Sequence, residues 1–408
     1  MVKYLGVTEG LIYLPGQRSA AWEDSDQEKP FRQLRYFYYI TGVDFPDSIV
    51  TYNIKSDELS LWILPPNSGS SVIFNGQVPT VDEVKVKYDF DQVSELPNLD
   101  SYLTWYAHNE PGKIYLLHDY QAPKNIAPQR LANKDGHWTW LSVSPFDSTS
   151  LINAMNASRS IKSPHELSLI RRAISITSQA HINVLKGLHS FTHEAEIEAI
   201  FAATCISNLA KKQSYGIIAG SGSNASTLHY VANNEPLKGR QLVCLDAGVE
   251  WECYASDVTR TFPISGYYTK EAREIYEIVE RMQEECIEMC TPGTNFVDVY
   301  MHAHKVAVEG LIELGILHNG TFDEIYASGV SVAFFPHGVY FPYSFVHILI
   351  SILISSLVRT FRRPGSPRCS RHRLHALQKG RLSIFRNPYQ YHNHPPFGNS
   401  LSEHGLYC

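Results

Sequence analysis

Asp246 and Asp257 stand eleven residues apart in the stretch QLVCLDAGVEWECYASDVTRTFPISG, which runs from Gln241 to Gly266. The first ends the apolar run Leu242-Val243-Cys244-Leu245. The second precedes Val258-Thr259-Arg260-Thr261-Phe262, which alternates apolar and polar side chains as a strand does. A hairpin turn near Trp251 would fold one strand onto the other and set both carboxylates on one face, within cross-strand reach. Carboxylates that close repel, and each is pushed towards its neutral form. A hard cation removes the conflict, because such ions take oxygen ligands. The hairpin reads as the nucleus of a metal site whose other ligands must come from elsewhere in the chain.

Few other groups compete for chemistry. His229, in STLHYVANN, taken alone is more often a structural histidine than a catalytic one. His302 and His304, in MHAHKVAVEG, are two apart on a helical pattern and face different ways, which argues for solvated or partly packed rings over a shared metal site. The seven cysteines are odd in number and scattered, with no zinc-finger spacing and no disulfide framework. A reducing compartment is the simplest reading. The N-terminus MVKYLGVTEGLIYLPG lacks a basic region leading into a long apolar one, so cytoplasm is the expected location.

The elements that must position these groups follow in order. At 408 residues the chain has room for two or three domains. Residues 1–155 read as a mixed α/β domain with strand-like runs at Leu11–Leu14, Phe37–Ile40, Ser48–Tyr52, Leu59–Leu64 and Lys113–Leu117. Within it, FRQLRYFYYITG (Phe31–Gly42) reads first as a buried strand and its approach, with a part in a substrate pocket as the alternative. SPFDSTSLINAMNASRSIKSP, ending at Pro164, reads as an interdomain connection. Ser163, Pro164 and Glu166 then form a helix start of capping-box type. A second helix is expected from about His193 to Lys211, a short strand from Tyr215 to Ala219, and a turn at GSGSNAS. After the aspartate hairpin, Thr269–Met289 and Phe296–Ile316 are long helical patterns, and SGVSVAFFPHG is strand-like up to His337 and Gly338.

Beyond Gly338 the composition switches. Residues 1–324 hold 40 of the 41 carboxylates and 26 of the 35 Lys and Arg, whereas residues 325–408 hold one carboxylate, Glu403, against nine Lys or Arg. Val339–Val358 is twenty residues without a charge, near the length a spanning helix needs. Its strongly apolar part, Phe345–Val358, is only fourteen long with three serines, so a membrane anchor is not the preferred reading. The remaining tail is basic, rich in Pro, Ser and His, and without periodicity.

LDAG at Leu245–Gly248, YASDVTRTFPISG at Tyr254–Gly266, STLHY around His229 and VSVAFFPHG at Val330–Gly338 together resemble the pita-bread metallopeptidases. The likeness covers roughly residues 10–338 and is nearest to the proline-specific branch, the fungal-type Xaa-Pro aminopeptidases (aminopeptidase P) and prolidases. It implies an α+β architecture: a mixed α/β N-terminal domain followed, over 160–338, by a pita-bread catalytic domain of paired helices over an antiparallel sheet. It implies two metal ions, usually Mn2+, held by two Asp, one His and two Glu. Asp246 matches the aspartate that chelates one metal and Asp257 one that bridges both, around a metal-activated water that attacks the scissile carbonyl. His229 matches a histidine that steadies the substrate, which reverses its reading in isolation. His337 matches a histidine at the edge of the site. The implied partners are peptides beginning Xaa-Pro. No nucleic-acid partner is expected, and a homodimer is compatible with length and family.

The chain departs from the family pattern at one place. The family continues as H-G-L-G-H with the second histidine a ligand, whereas here His337-Gly338-Val339-Tyr340-Phe341 puts phenylalanine there. No Asp or Glu lies between Glu324 and Glu403, so two of the five implied ligands are present and the pita-bread domain is incomplete at its C-terminal end. The coincidence of lost motif, charge switch and lost periodicity suggests that residues 339–408 are an aberrant tail read from a retained intron in a shifted frame. The expectations are thus an Xaa-Pro aminopeptidase, a prolidase as the nearest enzyme alternative, and a non-catalytic pita-bread binding module as the alternative of another class. Little activity is expected from this chain.

Overall fold

The period-two alternation of the early strands sends side chains to both faces of one sheet, and the structure, a computed structural model, covers each face. It describes residues 1–334 other than 125, 127–129, 133–137 and 141–144. His337, Phe341, the apolar run and the basic tail therefore lie outside the described residues. Two structural units divide between Ser163 and Pro164.

In the first unit the strands are β1 (Leu11–Pro15), β2 (Ile49–Asn53), β3 (Glu58–Ile63), β4 (Gln92–Glu95), β5 (Ile114–Tyr115), β6 (Arg130–Ala132), β7 (Trp138–Trp140) and β8 (Phe146–Asp147). The helices are α1 (Val2–Leu5), α2 (Arg35–Thr41), α3 (Ser70–Asn75), α4 (Val81–Lys87), α5 (Leu99–Asn109) and α6 (Ser150–Ser160). Six strands form a mixed sheet in the order β4-β3-β2-β1-β5-β8, and β6 and β7 pair separately. On one face Ile12, Leu14, Leu61 and Val93 pack with Phe37, Leu151 and Met155. On the other, Leu11, Tyr13, Trp62 and Ile114 pack with Leu99, Leu103 and Tyr106 of α5.

Two expectations are corrected in this unit. The aromatic run expected as a strand is helix α2. Its buried residues are Phe37 and Thr41, four apart as a helix places them, and the Thr41 hydroxyl donates to the Phe37 carbonyl at 2.8 Å. Gly42 ends the helix in the left-handed conformation, its N–H donating to the Tyr38 carbonyl. Tyr36 and Tyr39 both lie under the Arg159 guanidinium, at 4.6 and 5.8 Å from their ring centres. Most of the expected interdomain connection is ordered, because β8 and α6 lie inside it. Asp147 starts α6 by accepting from the amides of Thr149 and Ser150 at 2.9 Å each.

The second unit opens with α7 (Pro164–Gly187) and α8 (Glu194–Ser207). Strands β9 (Lys212–Gln213), β10 (Ile218–Ser221), β11 (Leu242–Ala247), β12 (Val249–Trp251), β13 (Tyr254–Ala255) and β14 (Val258–Pro263) follow, then α9 (Lys270–Met289), α10 (Phe296–Glu313) and α11 (Phe322–Ala327). All strand pairs here are antiparallel, in the orders β10-β11-β14 and β13-β12-β9. Val243, Leu245 and Ala247 of β11 pack against Ala173, Ile176, Ala180 and Val184 of α7 and Phe201 of α8. On α9, Ala272, Ile275, Val279, Met282 and Cys286 recur at three- and four-residue steps and pack against α10. Each large apolar side chain so buried contributes about 1.5–3 kcal/mol.

The expected strand at Val330 is a 3-10 turn, Val330–Ala333. Its buried residue, Ser331, hydrogen-bonds His304 Nδ1 at 2.8 Å. His304 is thus a buried histidine, edge-on to Tyr300, and burial pulls its pKa down to about 4. His302 faces elsewhere and contacts Glu285 at 2.6 Å. Among the described residues no helix is long and apolar enough to cross a membrane.

Candidate active site

Gly248 decides how the two aspartates meet. In the β11–β14 ladder Asp246 lies opposite Thr259 and Ala247 opposite Val258. At Gly248 the chain crosses so near Ser256 that a Cβ would fall 1.9 Å from the Ser256 carbonyl oxygen. Only glycine permits that approach. The chain then makes a small hairpin, β12 against β13, turning at Glu252 and Cys253 with φ of 46° and 62°. Two consecutive positive φ values are the type I′ pattern that matches strand twist. The turn expected near Trp251 is present, and it leaves Asp246 near the end of β11 and Asp257 just before β14.

The structure brings the two carboxylates together through a residue that sequence reasoning missed. The Tyr215 hydroxyl contacts Asp246 Oδ1 in a short hydrogen bond and Asp257 Oδ1 at 2.7 Å. Tyr215 lies three residues before Ile218, which pairs with Asp246 in the β10–β11 ladder. That cross-strand register is the signal that could have found it, and it is invisible without the pairing. Asp246 is buried, and burial first, then the charge of Asp257, raises its pKa well above the usual carboxylate range. Burial and the same two carboxylates raise that of Tyr215, so the hydroxyl stays a donor.

His229 is exposed, in the turn after the 3-10 helix Gly222–Ser226. That helix replaces the simple turn expected at GSGSNAS. The loop bearing His229 is tied down by Glu194, the first residue of α8, which is fully buried. Glu194 accepts from the Ser221 amide and hydroxyl at 2.7 and 2.6 Å, the Tyr230 hydroxyl at 2.7 Å and the Glu235 amide at 3.1 Å, and Arg240 stands 3.5 Å away. Burial opposes its ionisation, but the hydrogen bonds from Ser221, Tyr230 and Glu235 outweigh it and hold its pKa below the usual value. Asn233 adds a second anchor, accepting from the Ala219 amide and donating to the Ile217 carbonyl, each at 2.8 Å.

Mutually repelling oxygen donors, one buried and one half-buried, suit one hard divalent cation. Among the described residues, however, no group of three or more His, Cys, Asp or Glu gathers as a metal site. The pair offers two carboxylate ligands, and among the described residues no third such group joins them.

The sequence of residues 168–348 matches metallopeptidase family M24, and residues 2–115 match the aminopeptidase P N-terminal domain. The chain is 66% identical over 337 residues to a probable Xaa-Pro aminopeptidase of Sclerotinia sclerotiorum, covering 83% of this chain and 60% of that protein. It is 48% identical over 338 residues to a probable Xaa-Pro aminopeptidase of Aspergillus clavatus, covering 82% and 66%. The chain thus spans about 60% of the length of the first of these relatives. Among solved structures it resembles Escherichia coli aminopeptidase P in its low-pH form, with a TM-score of 0.71 and 26% identity over 81% of this chain and 75% of that one. It resembles the zinc-substituted E. coli enzyme in complex with product similarly, with a TM-score of 0.72 and 27% identity over 81% and 75%. The fold is the α+β, pita-bread architecture of a metallopeptidase, preceded by its mixed N-terminal domain. The chain belongs to metallopeptidase family M24.

Proposed function

We propose that the protein is an Xaa-Pro aminopeptidase that hydrolyses the bond after the first residue of peptides with proline second. The observation that carries this reading is the pair of buried Asp246 and half-buried Asp257, joined through the Tyr215 hydroxyl. Asp246 would chelate and Asp257 would bridge divalent ions, with Mn2+ the proposed metal. Bound metal supplies Lewis acidity and activates water for attack on the scissile carbonyl. The chain's own residues do the positioning. Tyr215 donates to the carboxylates and orients them, while Glu194 and Asn233 hold the loop from which exposed His229 would steady the substrate. His337, at the proposed edge of the site, lies outside the described residues. We place the protein in the cytoplasm.

Residues 1–408 hold two of the five ligands the family resemblance implies, and Phe341 stands at a ligand position. That favours a second reading, a binding module without turnover. The test is peptidase assay of the chain with added Mn2+ or EDTA, on a dipeptide and a tripeptide that both carry proline second. Mn2+-dependent cleavage of the tripeptide, abolished by Asp246→Asn, supports the aminopeptidase. Cleavage of the dipeptide alone makes it a prolidase, and peptide binding without cleavage makes it the module.

A further inference from the structure

Asp257 belongs to no strand; it sits in the two-residue link Ser256–Asp257 between β13 and β14. The hairpin backbone ties it at one point, the Ser256 amide donating to the Val249 carbonyl at 3.0 Å. Helix α7 does so from behind. Thr177 and His181 are four residues apart and share one helix face. The Thr177 and Ser256 hydroxyls are 2.7 Å apart, and His181 Nε2–H donates to the Val258 carbonyl at 3.0 Å. The residue before Asp257 and the residue after it are each bonded to the same helix face. Tyr215 meets the Asp257 carboxylate at 2.7 Å.

The proton directions close the network. Ser256 Oγ–H donates to the Val249 carbonyl at 2.9 Å, which leaves Thr177 to donate to Ser256 Oγ. The Val249 N–H is shared between the Thr177 and Ser256 hydroxyl oxygens, at 3.1 Å each. A carbonyl only accepts, so His181 carries its proton on Nε2. Thr177 and His181 are both buried, and the His181 ring stands edge-on to Phe201 of α8, with centres 5.3 Å apart at 83°. Their buried neighbours on α7 are the apolar Ala173, Ile176, Ala180 and Val184, and a third buried polar residue, Glu166, accepts from the Tyr254 hydroxyl at 2.9 Å further along the helix. Of the polar residues on that face, Thr177 and His181 are the two bonded on either side of one aspartate.

We infer that Thr177 and His181 are positioning residues for Asp257, a two-point clamp that sets where its carboxylate stands relative to Asp246. The inference rests on the reading of that pair as metal-holding. Groups that orient ligands typically alter metal affinity by about 10–100-fold when lost.

The test is titration calorimetry of Mn2+ into the full chain, with Asp257→Asn as the reference for a lost site. His181→Phe and Thr177→Val remove the two bonds with little change of volume. His181→Gln keeps a donor near Nε2, and Thr177→Ser keeps the hydroxyl. The expected result is affinity about tenfold weaker in the Phe and Val variants, recovered in the Gln and Ser variants. Unchanged affinity in both folded Phe and Val variants overturns the clamp, as does loss that Gln and Ser do not recover. Using both sites keeps the test alive where one variant fails to fold. If the unsubstituted chain binds no Mn2+, it is the metal reading that fails, and amide hydrogen exchange across 249–258 decides the clamp. Faster exchange in His181→Phe, restored in His181→Gln, sustains it, and unchanged exchange overturns it.

Discussion

Replacing Tyr215 with phenylalanine removes one oxygen and leaves two carboxylates facing each other. The ring stays, so packing is retained and the loss is electrostatic. A hydrogen bond to a charged acceptor contributes about 1.5–3 kcal/mol, and a single hydroxyl proton cannot serve both carboxylates fully, so we expect a deficit of about 2–4 kcal/mol near neutral pH. At about 2–4 °C per kcal/mol for a unit of this size, the midpoint of the second unit should fall by about 4–16 °C. The mechanism makes two further demands. In acid, as Asp246 becomes neutral, the hydroxyl has one charged acceptor fewer and the deficit should shrink. Asp246→Asn, which removes one of the repelling charges, should make the Tyr215 substitution milder than it is in the parent chain. Urea unfolding of the four chains, at neutral pH and at pH 3, measures all of this. A neutral-pH deficit below about 0.5 kcal/mol would refute the reasoning, because that is the range of a surface substitution. A deficit unchanged in acid or by Asp246→Asn would assign the effect to packing.

Gly248→Ala places a methyl group 1.9 Å from a backbone oxygen, so it should destabilise the second unit by more than about 4 kcal/mol, seen as loss of the cooperative melt or of soluble protein. Glu194→Ala strands the Ser221, Tyr230 and Glu235 donors beside Arg240 and should cost about 3–5 kcal/mol, with faster proteolysis in the loop 227–236; Glu194→Gln should cost less, since it retains an acceptor. His304 has a folded pKa near 4, below the usual histidine value of about 6.5. The unfolded chain therefore takes up its proton first as pH falls. The stabilising contribution is complete above about pH 6.5 and is lost progressively down to about pH 4, for a total on the order of 2–3 kcal/mol. The stability difference between the parent chain and His304→Gln, followed by urea unfolding across that range, should narrow as pH falls; a constant difference would contradict the assignment.

The aspartate motif was legible because its signals are local. LDAG supplies an apolar strand ending in a carboxylate and a glycine, and the alternation after Asp257 declares the second strand. The long helices were equally plain, since α9 repeats its apolar residues at three- and four-residue steps over about four turns. The aromatic run Arg35–Thr41 misled because β propensity and helix periodicity compete over seven residues. Its burial at i and i+4, Gly42 as a cap and Arg159 over two tyrosines settled it as a helix. Ser331 became a turn residue rather than a strand residue through its bond to buried His304, a partner twenty-seven positions away.

What the sequence determined by itself was two carboxylates, their spacing and the two strands that carry them, whereas the close approach that requires glycine at 248 came from the fold. What the tertiary structure decided was what holds them. Tyr215 reaches Asp246 from thirty-one positions away and Asp257 from forty-two, and Thr177 reaches Ser256 from seventy-nine. Those contacts depend on strand register and on which face α7 turns to the sheet. Neither leaves a local pattern, because a tyrosine or histidine on a buried face looks the same in sequence whether it fills the core or grips an aspartate.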